Sequence, residues 1–514
     1  MADALVTRAT NRRYPVFIAS SYGYPRWEKT VEPSPTIAPL LTIDNRIRRC
    51  YAKGVGRKRL IPLLFALLVG ACAEQDPLPI TLVVTSGQEK DAFIQAPAPE
   101  RFTLRLISVE GAPSQLLQAP WPSQPITLEG LDTNQLAAFE GIGSDIDDVP
   151  VMRGATILHP LWAVGAQSLP LFMGRVGKTS RPDGVLPFSH VHGLSAIVSA
   201  RFIVSAGGTE AYRTDGSSSD PAAFSVYDVG LWQASTATGT LPRMPRAMAM
   251  VQGRWALVIE EQGASWFDFS TFESTEVAAP EALTFADIAG GQTVYGEQGE
   301  AYVVGPTRKD LPSNIVLRVD WQGTLTVIRL GVPRVAVAAT YVKGRGLLLV
   351  GGHPSEPGAL LLAPGVNSFS PLAYPPDPVQ GAMATSLDDE RVVLAGGAIE
   401  GTSAPTRILD LRCSTQCHSV DLAPSVKPIA IVHGLAHTTR ADEVLLVGED
   451  GSDSTTKLVR IAELDGVAFS ESVVLHEPRV GAASVPLFGR MVAIVGGRKL
   501  DDSGVPSVEV YIPK

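Results

Sequence analysis

The stretch Gly346-Leu347-Leu348-Leu349-Val350-Gly351-Gly352 is a short apolar run that ends on a pair of glycines. Close copies of this run end on three further pairs, Gly207-Gly208, Gly396-Gly397 and Gly496-Gly497. Weaker copies without the pair are Trp255–Glu260, Ala301–Gly305 and Val444–Gly448. Such a run closed by glycine is typical of a buried β-strand before a sharp turn, because glycine turns without a Cβ clash.

The seven copies recur at a nearly regular interval. Aligned on the first glycine or its substitute, they fall at positions 207, 260, 305, 351, 396, 448 and 496, so successive copies lie 45 to 53 residues apart. A repeat of this length holds four short strands, and one such sheet cannot bury both faces alone. The sequence therefore predicts an all-β fold in which residues 168–514 form a seven-bladed β-propeller.

Composition agrees with a β-rich globular protein of more than one domain. Of the 514 residues 45% are apolar and 18% charged, and 48 glycines and 40 prolines supply turns. Residues 1–71 hold 12 of the 43 basic residues but 4 of the 52 acidic ones, which leaves a formal charge of −17 on the remainder. So acidic a body argues against binding nucleic acid by phosphate neutralisation.

Residues 55–71 have the pattern of a secretory signal peptide. Arg57-Lys58-Arg59 precedes the apolar run Leu60–Ala71, which at twelve residues is shorter than the roughly 20 that a membrane-spanning helix needs. Val69-Gly70-Ala71-Cys72 resembles the bacterial lipobox. The resemblance implies cleavage before Cys72, acylation of Cys72, and anchoring in a lipid bilayer of the bacterial envelope. Ala73 favours the outer membrane by the same resemblance.

Residues 1–54 fit no part of this plan. They are basic and aperiodic, and they would make the charged region of the signal abnormally long. Val55 would serve as an alternative start. We interpret residues 1–54, which include Cys50, as an upstream extension or a mis-assigned start.

Residues 72–167 predict a tether followed by a small antiparallel β-sandwich. Short strand candidates separated by Pro, Gly and Asp turns are Ile80–Val84, Arg101–Ser108, Pro125–Leu128, Gln135–Glu140 and Met152–Leu158. The acidic turn Ser144–Asp148 is a calcium candidate, but it lacks the spacing of a calcium loop and favours a solvated turn.

The last repeat lacks a fourth strand. It offers Gly481–Val485, Met491–Val495 and Val508–Ile512, after which the sequence ends at Lys514. A blade of three strands would expose an unpaired edge. The apolar stretch Leu169–Arg175 has no other role, so we expect it to supply the missing outer strand and close the ring.

The repeats resemble those of the kelch family of β-propellers. The matching residues are the four glycine pairs, Tyr227 and Trp232 in the first repeat, and Tyr511 in the last. Elsewhere the aromatic pair is replaced, for example by Leu409-Asp410. The resemblance implies blades of four strands each. The combination of lipobox, sandwich and kelch-like ring resembles surface lipoproteins of myxobacteria.

Two cysteines remain in the mature body besides Cys72. Cys413 and Cys417 flank the predicted turn Ser414–Gln416, where they would face each other. In an exported protein a disulfide is the expected state of such a pair. Zinc binding together with His418 is the alternative, and it lacks a second ligand pair.

Two pairs of histidines fall at one place in their repeats. His190 and His192 are expected on the first strand of repeat one, and His433 and His437 on that of repeat six. Histidines four residues apart bind metal well on a helix but not on a strand. We therefore expect structural histidines, and neither a metal site nor a cofactor.

The favoured function is a non-catalytic binding or scaffolding module for a protein or glycan. Binding residues are expected on the long loops that follow the repeated strand, Gly208–Ala222, Gly352–Gly358 and Gly397–Pro405. The alternative is a glycan-processing enzyme, whose carboxylates would gather at the channel mouth. The nearest candidates for that role are Glu260, Glu261 and Asp450.

Overall fold

The computed structural model describes residues 79–514 except 109–112, 123, 133–134, 162–167, 282, 307–311, 423–430, 441, 451–454 and 465–467. The extension 1–54, the signal peptide 55–71 and Cys72 lie outside the described residues, and their assignments stay predictions. The side chains of His433 and Asp450 are likewise not described.

The described chain is all-β, as the sequence predicted. Its helical segments are two short 3-10 turns, Phe285–Asp287 and Phe488–Arg490. In the part of the chain that the structure covers, no helix has the length and apolar character needed to cross a membrane.

The N-terminal domain consists of two sheets. One has three strands, in the order Ile126–Leu128, Ile80–Thr85 and Ser168–Phe172. The other has the order Ser114–Pro120, Arg101–Ser108, Leu136–Ser144, Pro150–Ala155 and Gly174–Arg175, with His159–Pro160 paired beside Leu136–Ser144. Unlike the antiparallel arrangement that the sequence suggested, Ile80–Thr85 and Ser168–Phe172 run parallel.

One hydrophobic core joins these two sheets. Alternation along Arg101–Ser108 turns Phe102 and Leu104 inward, where both are fully buried. They pack in one cluster with Ile80 and Leu82 of the smaller sheet. The two sheets therefore lie face to face.

The remaining strands form seven sheets that share one plan, and we label the strands of each sheet a to d in sheet order. Sheet 1 consists of Leu194–Val198, Phe202–Ala206, Ala223–Asp228 and Gln233–Ala234. Sheet 2 consists of Ala247–Val251, Trp255–Glu260, Gly263–Asp268 and Glu273–Val277. Sheet 3 consists of Gly291–Tyr295, Ala301–Pro306, Ser313–Val319 and Leu325–Arg334. Sheet 4 consists of Ala338–Val342, Gly346–Val350, Ala359–Leu362 and Ser370–Pro371. Sheet 5 consists of Gln380–Ser386, Arg391–Ile399, Arg407–Asp410 and Val420–Asp421. Sheet 6 consists of Ile431–Arg440, Glu443–Asp450, Thr456–Ala462 and Phe469–Val473. Sheet 7 consists of Ala483–Pro486, Val492–Val495, Glu509–Ile512 and Lys178–Ser180.

Short extra strands extend some of these sheets. They are Gly239–Thr240 on sheet 1, Thr402–Ser403 on sheet 5, the pair His353–Pro357 with Pro376–Asp377 beside sheet 4, and the three-stranded sheet Phe188–Val191, Glu210–Arg213, Ser218–Ser219.

Strand b lies inside each sheet, and both of its faces are covered. In sheet 4, all five residues of Gly346–Val350 are buried. Leu347 and Leu349 pack towards sheet 3, whereas Leu348 and Val350 pack towards sheet 5. A strand buried on both faces reads as a continuous apolar run, and this is the signal by which the repeat shows in the sequence.

A hydrophobic cluster lies between each sheet and the next. Sheets 1 to 7 are joined in order by six such clusters. A seventh cluster joins sheet 7 to sheet 1 and includes Val495, Ile203 and Tyr227. Strand a of sheet 1 contacts strand a of sheet 2 on one side and strand a of sheet 7 on the other.

The fourth strand of sheet 7 comes from the segment that precedes sheet 1, but it is not the predicted one. Lys178–Ser180 pairs antiparallel with Glu509–Ile512. The predicted strand Leu169–Arg175 instead belongs to the N-terminal domain, where Leu169 and Leu171 are buried. Its apolar alternation serves the sandwich core, whereas the short outer strand needs few apolar residues. The boundary predicted between 167 and 168 is therefore wrong, because 168–175 belong to the first domain.

The N-terminal domain packs against sheets 7 and 1. Ala155 and Phe172 lie in the same core cluster as the residues of those two sheets. The rings of Phe172 and Trp232 are 4.8 Å apart. At the edge of this contact Arg181 Nε donates to Glu89 Oε1 at 2.9 Å. A shared core of this kind fixes the orientation of the two parts.

Candidate functional site

The first glycine of each pair lies against the backbone of the next sheet. A Cβ at these positions would come within 3.0 Å of a carbonyl oxygen at or just before the next strand a: Gly207 and Pro245, Gly351 and Val379, Gly396 and Ile431, Gly496 and His190. The last contact, from sheet 7 to sheet 1, repeats the other three. Glycine is therefore required by contact between sheets as well as by the turn.

The second glycine of each pair lies against the residues at or just before strand a of its own sheet. A Cβ there would come within 3.0 Å of a carbonyl oxygen: Gly208 and Val191, Gly352 and Val335, Gly397 and Gln380, Gly497 and Val480. The antiparallel pairing of strands a and b, which we call the a–b ladder, bends at this point and continues beyond the sheet. In sheet 1, for example, Val191 pairs with Glu210 beyond the bend. The glycine pairs thus mark the place where strands a and b extend beyond the sheet.

Three buried side chains bind these glycines, and sequence reasoning missed two of them, Arg334 and Arg479, whereas it expected His190 to be structural. Each precedes the first glycine of a pair by 17 residues and donates to its carbonyl: His190 to Gly207 at 3.1 Å, Arg334 to Gly351 at 2.7 Å, and Arg479 to Gly496 at 3.3 Å. Burial lowers the pKa of His190 to about 4, so the neutral ring donates through Nδ1. The repeated Pro-Arg at 333–334 and 478–479 was a signal by which two of them could have been found.

The predicted binding loops are partly ordered as β-structure. The loop 208–222 contains Glu210–Arg213 and Ser218–Ser219, which with Phe188–Val191 form a three-stranded arm beyond sheet 1. The loop 352–358 contains the strand His353–Pro357. The loop 397–405 contains Thr402–Ser403. All three follow strand b, so they lie on the face of the sheets that carries the glycine pairs. We call this the b–c face.

The described part of the b–c face is acidic. Residues between strands b and c hold three basic side chains, Arg213, Arg498 and Lys499. The same segments hold eight acidic side chains, Glu210, Asp215, Asp220, Glu261, Glu356, Glu400, Asp501 and Asp502. Most of these carboxylates are exposed, and Leu500, beside the last two, is 74% exposed.

Sheets 1, 6 and 7 meet on this face at His192. The backbone N–H of His192 donates to the carbonyl of Gly481 at 2.7 Å. Its Nε2 lies 2.7 Å from Oε1 of Glu449, which also accepts the N–H of Gly481 at 3.1 Å. The hydrogen bond to Glu449 raises the pKa of His192. Sequence reasoning did not single out Glu449, because the contact joins residues 257 positions apart.

The carboxylates considered for an enzyme are engaged in other ways. Glu260 Oε2 lies 3.7 Å from Nη1 of Arg243, and Glu261 is exposed. Wherever the pKa of a described carboxyl group is clearly shifted, it is lowered. In Asp410, for example, hydrogen bonds from Arg412 lower the pKa of the carboxyl group to about 2. A general acid requires the opposite shift.

The histidines do not share one place in their repeats. His190 lies on the arm strand Phe188–Val191 and not on strand a of sheet 1, because the a–b ladder bends between them. His437 lies on strand a of sheet 6, where its Nε2 is 2.8 Å from Oγ of Ser484. No group of three or more metal-ligating side chains occurs among the residues that the structure describes.

The acidic turn Ser144–Asp148 makes local contacts. Oδ1 of Asp145 accepts the N–H of Asp147 at 3.0 Å and that of Val149 at 2.9 Å. Asp148 pairs with Arg101 at 2.5 Å. These contacts account for the acidic residues as parts of a turn.

Cys413 and Cys417 form the predicted disulfide. Their Cα atoms are 5.7 Å apart across the turn between strands c and d of sheet 5. Cys417 is buried against Leu409 and Leu411, whereas Cys413 is partly exposed. The disulfide thus ties the turn to the core between sheets 4 and 5.

A charged pocket of about 310 Å³ opens between sheets 6 and 7. Its floor is the buried pair Glu443 and Arg460, with Oε2 and Nη1 3.1 Å apart. Arg440 and Asp442 pair at its edge at 3.4 Å, and Lys514 pairs with Glu471 at 3.5 Å. Each charge named here already has a counter-ion.

No family model matches the sequence, and no curated protein matches it. Among the solved structures that match, one is a chain in the crystal structure of the mitotic checkpoint complex, which is 10% identical to this chain, with a TM-score of 0.41. The match covers 65% of this chain and 92% of that chain.

Proposed function

We propose that the protein is a lipid-anchored binding module of the bacterial envelope, in which a seven-bladed, kelch-like ring presents its b–c face to a partner. The seven sheets are the blades. The cluster between sheets 7 and 1 supports closure, as does the contact of Gly496 with His190, which repeats the contact of the other first glycines with the next sheet. Pairing of Lys178–Ser180 with sheet 7 supports it further.

The observation that carries the binding function is the acidic, β-ordered b–c face. Among the described residues, this face has eight acidic side chains and three basic ones. These charged side chains lie outside the hydrophobic core, so packing of the core does not account for the excess of acidic groups. Complementary charge steers association and sets partner choice. We therefore expect a partner with a basic surface, and a protein fits this better than a neutral glycan.

Site-specific photo-crosslinking in cells tests this surface. A photoreactive residue at Glu400 or Leu500, both exposed on the b–c face, is expected to give a discrete crosslinked band that weakens in high salt. Matched controls are Glu273 and Val420, which are exposed on the outer strands d of sheets 2 and 5. Equal crosslinking at all four positions would contradict a binding site on this face.

The anchor is tested separately at Cys72. We expect the wild-type protein to fractionate with membranes and to have the mass of a chain that begins at an acylated Cys72, because two or more acyl chains hold a protein stably in a bilayer. Cys72→Ala should release it, whereas Cys50→Ala should change nothing. An unmodified chain that still carries residues 1–71 would exclude the lipoprotein assignment and leave the binding face untouched.

A further inference from the structure

The arm of sheet 1 crosses sheet 7 and reaches sheet 6. Its strand Phe188–Val191 docks on sheet 7 through the N–H of Gly497, which donates to His190 O at 2.7 Å, and through Ser189 Oγ, which accepts the N–H of Val505 at 3.1 Å. These contacts involve no titratable group. They hold the near strand of the arm. Glu210–Arg213 pairs with this near strand, and Ser218–Ser219 pairs in turn with Glu210–Arg213.

His192 is the bend of this arm and the point at which it is fixed to sheet 6. Its φ of 55° places it in the left-handed region, opposite the glycine pair 207–208. The contact of its Nε2 with Glu449 joins the bend of the arm to sheet 6, on the other side of sheet 7. His192 is 46% exposed and Glu449 is 30% exposed, so solvent protons reach the pair.

The charged groups around His192 come from three elements. Glu449 on sheet 6 favours its charged form, Arg498 on sheet 7 opposes that form, and Glu210 on the arm favours it. Arg498 Nε lies 3.7 Å from Glu210, which also accepts the hydroxyl of Tyr212 at 2.7 Å. Asp502, paired with Arg498, offsets part of that positive charge.

We propose that His192 and Glu449 form a pH-sensitive pin that holds the arm across sheet 7 when His192 is charged and loosens it when His192 is neutral. The sign follows from the ion pair. A histidine whose folded pKa is raised contributes stability that is full below the unfolded value of 6.5 and is lost as the pH rises through the folded pKa. Neutral His192 keeps one hydrogen bond but loses the charge attraction.

Only the consequence for partner access depends on the proposed function. With the pin formed, Glu210 and Asp215 are held in place on the b–c face. With the pin loosened, the far strand of the arm moves and these two charges move with it. At pH 6 the b–c face would thus be ordered at the arm, and at pH 8 it would be mobile there.

Amide hydrogen exchange of the full protein at pH 6 and pH 8, corrected for intrinsic exchange, tests the pin. We expect the amides of Glu210–Arg213 to open several-fold more at pH 8, while those of sheet 3 do not change. In His192→Gln and Glu449→Gln the difference between the two pH values should disappear. The matched control is His353→Gln, because His353 lies on the extra strand of sheet 4 and its Nδ1 accepts the N–H groups of the nearby residues Ser355 and Glu356.

Two results would overturn the proposal. One is equal protection of the arm at both pH values in the wild type. The other is a pH difference that persists in His192→Gln while this variant melts at the wild-type temperature. Neither result depends on a partner, so failure of the pin and failure of the binding face are distinguishable.

Discussion

Replacing Arg479 by methionine is expected to lower the free energy of unfolding by about 3–5 kcal/mol, the usual cost of leaving a buried charge without its partner. Arg479 is 0% exposed, and its Nη2 donates to Oε1 of Glu509, also 0% exposed, at 2.6 Å. It also donates to the carbonyls of Gly496 and Ser507. Urea unfolding measures the loss.

Two further variants isolate the cause. The double variant Arg479→Met with Glu509→Leu should recover part of the stability, because an apolar pair replaces an ion pair at little cost. Recovery stays incomplete, since the carbonyl of Gly496 loses its donor and the N–H groups of His476 and Glu477 lose Glu509 as their acceptor. Arg412→Met, which breaks the exposed pair with Asp410, should leave the free energy of unfolding nearly unchanged, because solvent screens exposed ion pairs. A double variant no more stable than the single one would contradict this account.

Acid is expected to destabilise the protein well before its carboxylates protonate. Burial lowers the pKa of His159, His190 and His437 from 6.5 to about 4. Between these values the unfolded chain binds protons that the folded chain refuses, so stability is full above pH 6.5 and falls as the pH drops towards 4. Each group contributes roughly 3 kcal/mol at most.

Unfolding in urea at pH 7, 5.5 and 4.5 measures this loss. The midpoint should fall at each step, and His437→Gln should reduce the fall, because glutamine does not titrate and still reaches a hydroxyl such as that of Ser484. His353→Gln, at a site that is not buried, serves as the control. A midpoint that stays constant between pH 7 and 4.5 would contradict this prediction, because it would show that the three rings take up protons in the folded protein as readily as in the unfolded chain.

Strand b was predictable because burial on both faces leaves a continuous apolar run, as in Gly346–Val350. The glycine pairs were predictable as turns, but their contacts with the next sheet were not, since periodicity carries no information on what a residue touches. Lys178–Ser180 was missed because Thr179 and Ser180 are polar yet buried. In a sequence, polar residues of this kind resemble a loop, because nothing shows that a partner strand will pair with their backbone.

The His192–Glu449 contact was out of reach for a related reason. Strand a was expected to include His190 and His192, and the bend that turns them into an arm depends on contacts with sheet 7. A sequence repeat treats all seven sheets as equivalent, whereas the arm and the His192–Glu449 contact depend on how sheets 1, 6 and 7 meet. Departures from the repeat are therefore the features that sequence periodicity cannot predict.

The pairing of Lys178–Ser180 with Glu509–Ile512 has a consequence for the order of folding. It joins Thr179 to Tyr511, across 332 positions of the chain. Contacts between distant segments form slowly, because the loop must close before they contribute. During synthesis, sheets 1 to 6 have all their strands before Glu509 emerges, while Gly174–Arg175 already places the waiting strand beside the sandwich. Sheet 7 is thus the last to assemble, and until then its exposed edge is the part of the nascent protein most open to misassociation.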